Sequence, residues 1–436
     1  MQRFILVGLL ACGITANARN WTLHDCINYA LENNLSIKQS GLNVRQKEIE
    51  LNTAKGRRLP GVYASGSQNF SFGRGLTADN TYENSNTTST SLNLGAEIPI
   101  FQGMEINNGI KLGQLNLAAA TEDLEKAKDD IRVAVAQAYV QILYAQEIEQ
   151  VAERQVSTDS LMLVRLKAMH SAGKASSADV AAQQAALAQS RLSFTRAQND
   201  RALDLLELTQ LLELPSPEGF SIVSPDPEVL KPGLLLKPED IYAEAVKIKA
   251  DILSEKLRLD YAETNIKKAK GAFYPSLSLS GGLGTNFYTS SGRENASFGT
   301  QLKNNFNQYI GLSLNVPIFS RLSTRNSVES AKLTFRNQEL QLENTKKALY
   351  KEIQQAYYNA LASQSKLASS FEAASSAEQA YTLTKEKYEN GKANVTEYSD
   401  SRNRYLEAES EYLQSRYECL YQERLLDFYR GKEMEF

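Results

Sequence analysis

Three acidic side chains stand at fixed distances from two glycines. Asp179 lies six residues after Gly173, Glu397 lies six after Gly391, and Asp400 follows Glu397 by three. The glycines occupy similar tetrapeptides, Ala172-Gly173-Lys174-Ala175 and Asn390-Gly391-Lys392-Ala393. A carboxylate so placed has two kinds of work. At the start of a helix it accepts from free backbone N–H groups and complements the dipole, and Ser176-x-x-Asp179 and Asn394-x-x-Glu397 have capping-box spacing. Gathered by symmetry around a narrow passage, carboxylates attract cations and raise one another's pKa. Capping and a further role are both open for Asp179 and Glu397, whereas Asp400 lies beyond the cap. The glycines suit the left-handed position that ends a helix.

Little else in the chain is equipped for chemistry. There are two histidines, His24 and His170, and five methionines, without a Met/His cluster. HExxH, Walker and GxSxG patterns are absent, and the carboxylates are spread along helices. Neither an enzyme nor a cofactor or metal is expected. Cys26 and Cys419 stand near opposite ends and could pair only if the termini meet, and no CxxC occurs. A formal charge of −3 over 436 residues offers no basic surface for nucleic acid. With 42% hydrophobic and 23% charged residues, a packed structure is expected.

The elements that must position the acids come in two copies. Glu97-Ile98-Pro99-Ile100-Phe101 recurs as Asn315-Val316-Pro317-Ile318-Phe319, Gln137-Ala138-Tyr139 as Gln355-Ala356-Tyr357, and Gly173-Lys174-Ala175 as Gly391-Lys392-Ala393, all at an offset of 218. Asp25 to Ala30 answers Asp240 to Ala245, and Pro60 answers Pro275, at an offset of 215. An ordered series at near-constant spacing predicts tandem repeats, 19–213 and 238–436, joined by a Pro-rich linker, 214–237. Each repeat opens with a helix (22–56; 238–271). A β-hairpin follows (60–101, strands 60–73 and 90–101; 274–319, strands 274–288 and 308–319). Each then ends in a long helical hairpin (104–213; 322–430). A helix of 67 residues would be about 100 Å long, which reads as coiled coil.

The strands alternate. Leu92, Leu94, Ala96 and Ile98 share one face, against Asn93, Gly95 and Glu97. Leu277, Leu279, Gly281 and Leu283 oppose Ser278, Ser280 and Gly282, and Ile310, Leu312, Leu314 and Val316 oppose Gly311, Ser313 and Asn315. Period two with one apolar face suits a membrane strand with lipid on one side and water on the other, and also a half-buried soluble sheet. Four strands cannot close a membrane barrel, so the membrane reading requires several chains. The polar loops 76–89 and 289–307 would be the extracellular ends.

The N-terminus reads as a secretory leader over 1–18: Arg3, the apolar run Phe4 to Ala11, and Ala16-Asn17-Ala18 before a mature start at Arg19. Alternatively Leu9-Leu10-Ala11-Cys12 is a lipoprotein signal and Cys12 is acylated. Either way the protein leaves the cytoplasm.

Leader, duplication, Pro-Ile-Phe steps and Gly-centred turns between very long helices together resemble the TolC family of outer-membrane efflux proteins. The resemblance implies a mainly α fold with membrane β. It implies a homotrimer whose protomers each give four strands to a twelve-stranded barrel, above a coiled-coil periplasmic tunnel. It implies an outer-membrane exit duct, in contact with outer-membrane lipid, extending into the periplasm, and partnered by a periplasmic adaptor and an inner-membrane transporter for efflux or type I secretion. By the same resemblance Glu397 and Asp400 ring the narrowest point, Asp179 bonds Tyr388 to latch the tip, and Gly173, Lys174, Gly391 and Lys392 form the adaptor-contacting tip. The family's arginine two residues after the second glycine is here Ala393, which leaves the latch wired differently. The competing reading is an exported coiled-coil scaffold without a channel.

Overall fold

Helix formers uninterrupted by proline give this chain its long helices, and alternating strands interrupt them twice. The computed structural model describes residues 20–76, 80–225, 233–291 and 294–435. The expected leader, with Cys12, lies outside them. The elements in order are β1 (Asn20–Trp21), α1 (Leu23–Asn33), α2 (Leu35–Gly56), β2 (Gly61–Ser71), β3 (Arg74–Leu76), β4 (Tyr82–Asn84), β5 (Thr87–Gln102), α3 (Glu105–Ser171), α4 (Ser177–Leu211) and β6 (Ser221–Ile222). Then come α5 (Pro238–Ile248), α6 (Ala250–Gly271), β7 (Ser276–Ser290), α7 (Phe298–Asn304), β8 (Asn307–Asn315), α8 (Ser323–Glu389) and α9 (Val395–Tyr429). α3 and α8 both have 67 residues, α4 and α9 both have 35, and each pair starts 218 positions apart.

The described residues divide into two compact units that cut across the sequence halves. One holds 20–42, 122–253 and 344–435, and the other holds 43–121 and 254–343. The first is helical, apart from a parallel pair in which Asn20 and Trp21 face Ser221 and Ile222. Its core gathers Leu23, Cys26, Ile27 and Ala30 of α1 with Tyr139, Ile142 and Leu143 of α3, Leu208 of α4 and Tyr417 of α9. The Tyr139 hydroxyl donates to Val223 O at 2.6 Å, which ties α3 to the residues beyond β6. The second unit contains the antiparallel sheet β2-β5-β7-β8, in chain order, so β2 and β8 are its edges.

Several expectations need correction. Each opening helix is broken near its first third. Asn34 is extended (φ −59°, ψ 131°) and ends α1, while its side-chain oxygen accepts from Ser36 N at 2.9 Å to start α2. Lys249 breaks the second copy in the same way, at φ −69° and ψ 128°. Helical periodicity on both sides hides one extended residue. The linker 214–237 contains β6, too short to leave a pattern. The loop 76–89 carries β4, which pairs with β3 at the loop's start in a small hairpin with Arg74 opposite Asn84. The loop 289–307 carries α7, whose cap is Ser297. The last strand stops at Asn315, short of the expected 319. In the first copy Pro99 stays in β5, with a register shift between Pro99 and Phe101 facing β7. In the second copy Pro317 would lie on the edge strand, where no partner holds it.

Both strand-to-helix steps use two consecutive left-handed residues. Gly103 and Met104 have φ of 56° and 66°, and Arg321 and Leu322 have φ of 49° and 66°. Such backbone is costly for residues with a Cβ. At Gly103 a Cβ would lie 2.1 Å from Gly271 O, so this site requires glycine for space as well.

Candidate functional site

Two regions answer to the sequence's candidates, one in each unit. In the helical unit the turn between α3 and α4 ends α3 with a Schellman pair: Gly173 N donates to His170 O at 2.9 Å and Lys174 N to Met169 O at 2.8 Å. The turn between α8 and α9 repeats it, Gly391 N to Tyr388 O at 3.0 Å and Lys392 N to Lys387 O at 2.8 Å. Gly173 and Gly391 have φ of 72° and 73°, a conformation that L side chains resist. Gly173, Lys174, Gly391 and Lys392 are all exposed.

The acids beyond the turns differ in their duties. Asp179 Oδ2 accepts from Ser176 N at 3.0 Å and Ser176 Oγ at 2.7 Å, while Asp179 N donates to Ser176 Oγ at 3.1 Å. The hydroxyl bond above all, and then the backbone bond, hold its carboxyl below the usual range. Glu397 forms the corresponding box with Asn394, accepting at 3.3 Å and donating at 2.8 Å. Asp400 is exposed and makes no hydrogen bond or ion pair among the described residues. Tyr388 lies close enough to feel the Asp179 charge, after burial the next cause that raises its hydroxyl pKa. No hydrogen bond joins them among the described residues. The Tyr388 ring instead stacks on Tyr398, with centroids 4.9 Å apart and planes 20° apart.

That stack opens a feature not foreseen from the sequence. Tyr398 of α9 is 1% exposed and packs with Met162 and Leu166 of α3. Its hydroxyl lies 3.3 Å from that of Tyr381, and Tyr381 in turn stacks on Tyr405 at 5.6 Å. One turn along α9, the Arg402 guanidinium bonds Asp159 of α3, whose residue exposure is 1%. Gln183 of α4 donates to Asp159 Oδ1 at 3.1 Å and Gln155 to Oδ2 at 2.9 Å. Four helices thus meet around one buried ion pair and a tyrosine stack. The sequence did carry a signal. Asp159, Met162 and Leu166 share one helical stripe, and the repeat-equivalent positions of Asp159 and Arg402 are Ala377 and Gln184. A charge inside an apolar stripe, absent from the other copy, marks a specialised contact.

The second region is the sheet. Opposed residues put Val62, Ala64, Leu92, Leu94, Leu279, Leu283, Ile310 and Leu312 on one face. Several of these aliphatic side chains are far from buried: Ile310 is 86% and Leu312 65% exposed. A continuous apolar face of this extent is not left to water. The other face carries serine, glycine and asparagine, together with exposed Glu97. Across it runs one row, Tyr63–Gly95–Gly282–Tyr309. A Cβ on Gly95 would meet the Tyr63 ring at 2.6 Å, and one on Gly282 the Tyr309 ring at 2.8 Å. The two rings therefore lie down on the sheet instead of standing off it. Cys26 and Cys419 are both buried and unpaired, and burial pushes the Cys26 thiol up to about 12, so the pairing left open by the sequence is not made. No described helix is long and apolar enough to cross a membrane, and strands are outside that criterion.

Comparison with known proteins agrees with this arrangement. The outer membrane efflux protein BepC of Brucella suis is 22% identical over 71% of this chain, an alignment spanning 63% of BepC, so the match falls short of the whole relative. The outer membrane protein TolC of Escherichia coli is 23% identical over 95% of this chain and 83% of its own. The solved structure of VceC, an outer membrane protein of Vibrio cholerae, superposes with a TM-score of 0.76 at 17% identity, covering 95% of this chain and 97% of VceC, a likeness of fold. The profile of the outer membrane efflux protein family matches residues 26–213 and 241–432. With that coverage on both copies of the repeat, the chain belongs to the outer membrane efflux protein family and is a protein of the outer membrane.

Proposed function

We propose that this protein is the outer-membrane exit duct of an export system, a homotrimer in which each protomer gives four strands to one barrel and its long helices to a periplasmic tunnel. The observation that carries this reading is the exposed apolar face of a four-stranded sheet with two open edges. Edges cannot be left unpaired in lipid, and four strands cannot close on themselves, so β2 of one copy pairs with β8 of the next. The serine and glycine face then lines the bore. The two halves, 19–213 and 238–436, act as tandem repeats with 214–237 between them, and residues 1–18 direct export, with Cys12 the acylation site if that signal is of the lipoprotein kind. The Gly173-Lys174 and Gly391-Lys392 turns form the tip that meets a periplasmic adaptor, which couples the duct to an inner-membrane transporter.

Glu397 and Asp400 form the selective constriction. Three-fold symmetry brings their carboxylates together, and like charges in a narrow pore draw cations. Tyr388 and Asp179 close the tip beside them. The test is ion selectivity of the purified protein in planar bilayers. Glu397→Ala with Asp400→Ala is expected to reduce cation preference, and unchanged selectivity would remove both from the pore.

A further inference from the structure

The expected extracellular loop after β7 does not hang free. β8 pairs with β7 only from Ser276 to Gly284, so the backbone of β7 above that point has an exposed edge. Side-chain amides from the loop occupy it. Gln301 accepts from Tyr288 N at 2.9 Å and donates to Tyr288 O at 2.8 Å. Asn295 does the same for Ser290, at 3.0 Å and 2.9 Å, and Asn305 donates to Asn286 O at 2.7 Å. Alternate residues of the strand are thus bonded as a neighbouring strand would bond them.

This clamp brings α7 toward the apolar face. Thr285 Oγ1, which shares a face with Leu283 and Phe287, donates to Leu302 O at 2.6 Å. The Phe287 ring meets Phe298 edge-on, with centroids 4.9 Å apart. Phe306 joins Leu92, Leu94 and Leu283 around a shallow cavity. Yet Phe298 and Phe306 remain 50% and 55% exposed, with Lys303 exposed beside them.

We propose that α7 and Phe306 form a foot that rests in the outer leaflet, at the boundary between acyl chains and headgroups. This rests on the membrane reading of the sheet. The height fits. The ten residue steps from Leu277 to Phe287 rise about 33 Å along a strand, and a tilt of about 40° reduces this to about 25 Å, the usual height of a barrel's apolar band. Phe298, against Phe287, therefore lies at its outer rim, where aromatic girdles sit, and Phe306, beside Leu283, lies a little below it. Lys303 meets the anionic groups of the headgroup layer.

The test places one added tryptophan in the full protein, as F298W, F306W or, mid-sheet, I310W. Each is reconstituted in vesicles of phospholipid brominated near either the headgroup or the chain terminus. Native Trp21 supplies a constant background. F298W and F306W are expected to lose about half of their added emission, more to bromine near the headgroup. I310W is expected to favour the deeper bromine. Quenching of I310W without quenching of either phenylalanine variant would overturn the foot and leave the membrane sheet standing, with α7 covered by protein or exposed to water. Failure of I310W to quench would overturn both.

Discussion

At the scale of the residue, identical spacing concealed unequal roles. Asp179 and Glu397 satisfy caps, a local bonding that their three-residue spacing from Ser176 and Asn394 makes legible. Asp400 has no such bond, which makes it the purer probe of a pore charge. Asp159 shows the opposite case, a charge visible in the sequence whose partner is 243 positions away. Spacing rules reach only one or two helical turns, so no local pattern pairs it with Arg402. Its burial has a measurable consequence. Asp159→Ala leaves the Arg402 guanidinium desolvated without its anion and is expected to lower stability by about 3–5 kcal/mol in denaturant melts. The double change Asp159→Leu with Arg402→Met should recover most of that loss. A single change as mild as an exposed one, within about 0.5 kcal/mol, would contradict the buried pair.

At the scale of the element, long helices were the most legible part of the chain. Proline-free runs and glycine stops placed α3 and α8 to within a residue or so, because helix periodicity accumulates over many turns. Single-residue events were not legible. Asn34 and Lys249 break helices whose flanks both read as helical, and α7 lies among polar loop residues that give no stripe. The Pro-Ile-Phe step is legible in the sequence, but its unequal fate is not: Pro99 lies inside a strand flanked on both sides and Pro317 follows an edge strand. The left-handed step beyond it is testable. Gly103→Ala would press a Cβ against Gly271 O and is expected to cost about 1–3 kcal/mol or more, read as a lower denaturant midpoint and poorer yield. Arg321→Gly, at the equivalent place, should be neutral or stabilising by up to about 1 kcal/mol. Equal effects would mean that the contact with Gly271 does not matter.

At the scale of the whole molecule, the duplication predicted more than a second domain. Two hairpins make one sheet of four strands, and such a sheet in a membrane demands company. In mild detergent the purified protein is expected to have three times the protomer mass, and a monomer in the soluble periplasmic fraction would sink the duct. The sheet also implies where such an assembly is held least firmly. Within a protomer β5 and β7 are paired from Thr87 to Gln102, whereas β8 offers nine residues to any neighbour. Above β8 the amides of Asn295, Gln301 and Asn305 already occupy the edge, so a neighbour cannot lengthen the join there. Nine residues is also the length of the β7–β8 pairing, but a hairpin loop ties those two strands together, whereas no covalent link would cross a seam between copies. Under heat or force the ring should part into intact protomers along β2 and β8 before any protomer's own sheet comes undone.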